Sequence, residues 1–167
     1  MDSCISYMLM NFSLVMFVAA IILTILDRVV CAIRHHQLSG YEILFRWLAL
    51  LPLGVTSLYA FVMHAFFPVF TAATIGWSNS PFQFEVAVAN LGFGLLGVLA
   101  FSASYGFRAA TVIGALCWLW GDAVGHIYQM VSNHNFAVGN AGSWFWMDVL
   151  IPLLLLICII KMGKKAG

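Results

Sequence analysis

Five stretches of predominantly apolar residues run through this 167-residue chain, and each is close to the about 20 residues an α-helix needs to cross a hydrocarbon layer of roughly 30 Å. They are Ile5–Leu26, Leu44–Phe67, Pro81–Ser104, Phe107–Val131 and Trp144–Ile160. Composition supports the same solvent: 63% of the residues are hydrophobic and 8% charged, where a water-soluble domain carries about a quarter charged residues. The expected fold is an all-α integral membrane helix bundle, a single unit over residues 1–167 with no separate soluble domain. The formal net charge of +1 comes without a clustered basic face, which excludes a nucleic-acid partner. The partners left open are membrane lipids and either a second copy of the chain or a partner membrane subunit.

The span ends carry recognisable signals. The first span is predicted to stop at Asp27-Arg28 and the second at Pro68. Ser80-Pro81-Phe82-Gln83 opens the third, with Ser80 as N-cap, Pro81 at the first helical position and Gln83 placed to complete a capping box. Pro68–Asn79 and Ser132–Ser143 are expected to be loops on one side of the membrane. The basic residues fall on the other side: Arg28, Arg34 and Arg46 at the first connection with His35 and His36, Arg108 after the short turn at Tyr105-Gly106, and Lys161, Lys164 and Lys165 in the tail. The positive-inside rule makes that side cytoplasmic, with the N-terminus outside, where Asp2 is the only charge, and the C-terminus inside. The first span lacks the basic leading region of a signal peptide and is expected to be retained. Cys4, Cys31, Cys117 and Cys158 share no close spacing, so neither a disulfide framework nor a cysteine metal knuckle follows.

Charged side chains at membrane depth cost about 2.5 to 3.5 kcal/mol on insertion scales, so each calls for a partner or a function. Asp122 and His126, four residues apart, share one helix face with Gln129. At 1.5 Å per residue from Arg108, Asp122 lies roughly 21 Å across and His126 roughly 27 Å. Asp148, counted back from Lys161, reaches roughly 20 Å, and His64, counted from Arg46, roughly 27 Å. Glu85 begins the third helix near the same outer boundary, on a face with Ala89 and Gly92. Facing histidines and carboxylates from separate helices are how bundles hold a metal, so His64, Glu85, Asp122, His126 and Asp148 are candidate ligands of a divalent transition metal such as Zn, Fe or Mn. The same groups can relay protons, and near helix ends they also serve as caps and interhelical hydrogen bonds.

Two glycine motifs are read as helix packing. Gly92-Phe93-Gly94-Leu95-Leu96-Gly97 spells a dinucleotide loop, but no strand precedes it, and a close approach between helices accounts for it. Gly121 and Gly125 form a G-x-x-x-G, a pattern that serves either helix dimerisation or packing within the bundle, and the second is expected here because Asp122 and His126 adjoin that face. Trp77, Trp144 and Trp146 with Phe82 and Phe84 mark an outer aromatic belt, and Trp144 and Trp146 are also candidates for lining an entrance.

The strings Gly76-Trp77-Ser78-Asn79-Ser80-Pro81-Phe82-Gln83-Phe84-Glu85 and Gly121-Asp122-Ala123-Val124-Gly125-His126-Ile127-Tyr128-Gln129, with His134-Asn135-Phe136 through Gly142, resemble an uncharacterised family of small bacterial polytopic membrane proteins over about residues 41–160. The resemblance implies a bacterial inner-membrane protein and carries no reaction. A Glu leading a Gly-rich third helix and a His late in the fourth are also similar to DoxX-like proteins, a redox-associated group of four-helix membrane proteins. An extra helix and a long second outer loop depart from that pattern. Three functions stand: a site that binds a divalent metal or carries protons in transport; a redox enzyme acting on a quinone or lipid-like substrate; and an accessory or assembly subunit. No nucleophile–base pair or cofactor motif favours the enzyme.

Overall fold

Apolar runs this long satisfy their backbone hydrogen bonds in lipid only as helices, and helices are what they form. The computed structural model describes residues 3–35 and 38–163. Asp2, His36, Lys164, Lys165 and the side chain of Cys4 lie outside the described residues. The order is α1 (Ser3–Met10), α2 (Phe12–Ile33), α3 (Gly40–Leu48), a π-helical stretch Ala49–Val55, α4 (Thr56–Phe66), α5 (Pro68–Ile75), α6 (Phe82–Ala100), α7 (Tyr105–Asn133), α8 (Val138–Ala141) and α9 (Ser143–Gly163). No strand occurs among the described residues. Five segments are long and apolar enough to span a membrane: α2, the continuous run Gly40–Phe66, α6, α7 and the α8–α9 run Val138–Gly163. Their outward faces are apolar, with Ile22, Ile25, Leu95, Ile113 and Val124 all exposed, a surface suited to lipid and a liability in water.

Several boundaries differ from the sequence expectation, each for a local reason. α2 runs through Asp27-Arg28 to Ile33, because the Asp27 carboxylate accepts a hydrogen bond from Trp47 Nε1 at 3.2 Å and so has a partner inside the fold. The second span begins at Gly40, after the N-cap Ser39, whose hydroxyl accepts from the Glu42 N–H at 3.1 Å. Its middle holds Pro52, which lacks an N–H and crowds the preceding turn. The π-helical stretch takes up that mismatch by placing an extra residue in the turn, which keeps Gly40–Phe66 one continuous span. The expected loop at Pro68 contains α5, started by Pro68 and ended at Gly76 in the left-handed region at φ 76°. The third helix starts at Phe82 with no side-chain cap; Gln83 turns inward instead of closing a capping box.

Helix α6 lies along α4 and the π-helical stretch, α7 along α9, and α3 packs against both α2 and α9. The α6 contact is backbone on backbone. A methyl group on Gly97 would sit 2.6 Å from Gly54 N and 2.7 Å from Ala49 O, and one on Gly94 would meet Leu58. Gly92 has nothing within 4 Å, so only two of the three motif glycines serve packing. The α7 pair behaves differently from the expectation of packing within the bundle. Gly121 is exposed and would meet nothing, and Gly125 reaches only Trp77 at 4.0 Å.

At the end bearing the arginines, Arg108 is 4% exposed. Its Nε donates to Ala100 O and its Nη2 to Phe101 O, both at 2.8 Å, capping the C-terminus of α6. Its Nη1 reaches both oxygens of Glu42 at 2.8 and 2.9 Å, and Arg46 Nε donates to the same carboxylate at 2.8 Å. This cluster locks three spans together and leaves the opposite end of the bundle free of arginine and lysine among the described residues.

Candidate functional site

The opposite end contains a cavity of about 230 Å³. Each wall follows from a helix periodicity. On α6 the buried positions Gln83, Ala87, Asn90, Gly94 and Gly97 recur at helical spacing and face inward. On α4, Thr56, Ser57, Ala60 and His64 present one stripe to the cavity, and on α7 Leu119, Asp122 and His126 do the same. Asp148 and Ile151 come from α9, Thr71 and Thr74 from α5, and Ser13 from α2. Exposed Trp77, Ser78, Ser80 and Phe82 stand at its rim.

Four of the five candidate ligands, His64, Asp122, His126 and Asp148, line this cavity, and Glu85 does not. Glu85 is exposed because it lies two residues, about 200° of helix rotation, from Gln83 on the inward face. Gly92, on the face that Glu85 shares, has open space beside it. Nor do the four form one ligand shell. His64 Nδ1 is hydrogen-bonded to Gln83 Oε1, and among the described residues no three of His, Cys, Asp and Glu come together as a metal-holding group. Gln129, the third member of the predicted polar stripe, accepts from Asn133 Nδ2 at 2.6 Å and stays outside the cavity.

The organising side chain is Asn140 of α8, fully buried and not marked by any sequence signal beyond a Gly- and Asn-rich loop. Its Nδ2 donates to His126 O at 3.2 Å and Asn135 O at 2.9 Å, so its Oδ1 is turned away as an acceptor. That oxygen accepts from Trp77 Nε1 at 3.0 Å and lies 2.8 Å from His126 Nδ1. Nδ1 must therefore carry a hydrogen, and Nε2 is the variable nitrogen. Nε2 faces Asp148 Oδ2 at 3.7 Å, with 11% of the histidine and 14% of the aspartate side chain exposed. This separation exceeds hydrogen-bond length by about 0.5 Å.

Asp122 lines the same cavity as Asp148. One turn earlier on α7, Trp118 stacks on Phe93 with ring centroids 5.8 Å apart and buries its Nε1 without a partner among the described residues. The tryptophans expected in an aromatic belt divide by role. Trp146 is exposed, whereas Trp144 lines the cavity and donates from Nε1 to Met10 O at 2.8 Å. Trp77 both holds Asn140 and lies 5.7 Å from the His126 ring. Tyr59 stacks on Phe12 at 4.2 Å and donates from its hydroxyl to Leu9 O at 3.3 Å, tying the start of α2 to the cavity wall.

Five apolar spans around a mostly apolar cavity that carries two aspartates and two histidines define a polytopic α-helical membrane protein with a polar site embedded at one end. The chain belongs to DUF6790, a family of unknown function, whose model matches residues 10–166. No curated protein and no solved structure matches the chain.

Proposed function

We propose that the His126–Asp148 pair, with Asp122 beside it, takes up and releases a proton in the cavity, and that the protein uses this proton in membrane transport. The observation that carries the reading is the fixed imidazole: Asn140 holds Nδ1 as a donor, so Nε2 is left opposite Asp148 at 3.7 Å. Neutral imidazole with carboxylic acid, and imidazolium with carboxylate, both place one proton between the two side chains. Small rotations convert one arrangement into the other beside a space large enough for water. Because the described arginines gather at the other end, the positive-inside rule turns the cavity toward the outside of a bacterial inner membrane.

The test is a reconstitution. Proteoliposomes loaded with a pH-sensitive dye and given a potassium diffusion potential are expected to show proton flux with the unmodified protein. Asp148→Asn and His126→Ala, each inserted and monodisperse, are expected to abolish it. Unchanged flux in both variants, or none in the unmodified protein, overturns the reading.

One observation favours a second reading. Two ligands of a tetrahedral ion at about 2.0 to 2.2 Å stand a little over 3 Å apart, close to the 3.7 Å between Nε2 and Oδ2. A Zn, Fe or Mn ion there needs Asp122 to swing in as a third ligand. Elemental analysis of protein purified without chelator is expected to find no stoichiometric transition metal. Stoichiometric metal that is lost in Asp122→Asn establishes the metal centre instead.

A further inference from the structure

The proton pair uses one nitrogen and one carboxyl group of a cavity that offers considerably more. Its titratable groups are His64 and Tyr59 on α4, Asp122 and His126 on α7, and Asp148 on α9. The other helices packed around it, α2, α5 and α6, contribute hydroxyls and amides from Ser13, Thr71, Thr74, Gln83 and Asn90. Neither lysine nor arginine lines it among the described residues. The acid–base pairing of the described residues is thus one-sided: Glu42, at the other end, is gripped by two arginines, while Asp122 and Asp148 have no cationic partner there beyond His126.

Two further side chains are prepared for an occupant. Gln83 and Asn90 are 8% and 7% exposed. Gln83 gives its Oε1 to His64 and Asn90 gives its Nδ2 to Val86 O, which leaves Gln83 Nε2 and Asn90 Oδ1 without partners among the described residues and open to the cavity both residues line. Neither atom is sealed off from the cavity, so the polar groups of a ligand can reach both. The remaining wall is apolar and aromatic, with Tyr59, Phe70, Trp77 and Trp144 on it. Ring faces attract a cation, most strongly where water is excluded.

A ligand matching all of this carries positive charge to meet the carboxylates, N–H donors to reach oxygens such as Asn90 Oδ1, and an apolar or aromatic body for the rest of the volume. We infer that the cavity binds a protonated amine with an apolar or aromatic body, its ammonium group held by Asp122 and Asp148 and its body against Tyr59, Trp77 and Trp144. The amine displaces the proton of the His126–Asp148 pair, and in that one respect the inference rests on the proton reading. Each binding event exchanges one cation for one proton, so the net charge inside the membrane is conserved.

The experiment is isothermal titration calorimetry on the full chain in lipid nanodiscs, with phenethylamine and with phenethyl alcohol, which has nearly the same shape and no charge. Phenethylamine is expected to bind, and the alcohol to bind about thirtyfold more weakly or worse, since a buried carboxylate is then left without its counter-charge. Asp122→Asn is expected to lose a similar factor, while Glu85→Gln, on the exposed face, leaves affinity unchanged. Equal affinity for the two compounds, or binding of neither, overturns the amine site. Equal affinity points to a neutral occupant such as a quinone or lipid. The comparison needs no variant, so a misfolded Asp122→Asn does not blunt it. Repeating the titration in buffers of different ionisation enthalpy is expected to show about one proton released per amine bound. Amine binding with no proton released keeps the amine site and refutes the proton exchange. Intact proton flux with no amine discrimination refutes the amine alone.

Discussion

Replacing Asn140 with alanine attacks the hinge of the candidate site. The side chain is fully buried and makes four hydrogen bonds, two accepted from Trp77 Nε1 and His126 Nδ1 and two donated to His126 O and Asn135 O. At a net 0.5 to 1.5 kcal/mol each, four bonds are worth about 2 to 6 kcal/mol. The upper half of that range is expected, because alanine also leaves Nδ1–H of the buried His126 without its acceptor. A second consequence is chemical. Without Oδ1, nothing holds the proton on His126 Nδ1, and the imidazole is free to carry it on Nε2, opposite Asp148. Thermal unfolding in detergent measures the first effect, and nitrogen NMR of histidine-labelled protein, which distinguishes the two neutral tautomers, measures the second. A loss of stability under about 1 kcal/mol, or a His126 tautomer indifferent to the substitution, would refute the account of Asn140 as the residue that orients the imidazole.

The remaining expectations concern the scaffold. Gly97→Ala places a methyl 2.6 Å from Gly54 N, and the resulting overpacking is expected to cost about 1 to 3 kcal/mol and to pull Gln83 away from His64. Gly92→Ala, with nothing within 4 Å, is expected to leave the unfolding midpoint unchanged; equal loss in both refutes the glycine contact. Arg108→Ala leaves the Glu42 carboxylate with Arg46 alone and two α6 carbonyls uncapped, and is expected to cost about 3 to 5 kcal/mol. Glu42→Gln, which retains an acceptor for Arg108, is expected to be milder in the same unfolding assay. The reverse order would sink the reading of this cluster as an arginine-centred lock.

The legibility of the site varied residue by residue. Asp122 and His126 were readable because helical spacing alone places i and i+4 on one face. His64 and Asp148 were readable because depth follows from counting residues along helices of known rise. Glu85 was misplaced by the same reasoning: depth says how far a residue lies across the membrane, and only the packed face of α6 says which way it points. Gln83 was read as a cap and is a cavity amide, since a short motif cannot distinguish a local backbone bond from a partner on another span. Asn140 left no trace, because a buried hydrogen-bonding asparagine and an ordinary loop asparagine look alike in sequence.

What the chain's own order of residues determined is the solvent, the number of the spans, and the gathering of the described arginines at one end, because lipid demands long apolar helices. Tertiary structure alone decided that Arg108 is clamped on Glu42, that Gly54 meets Gly97, that Asn140 orients His126 toward Asp148, and that Glu85 stands outside. These are contacts between helices far apart in sequence, and their rotation about their own axes is set by packing, which no periodicity within a single helix records.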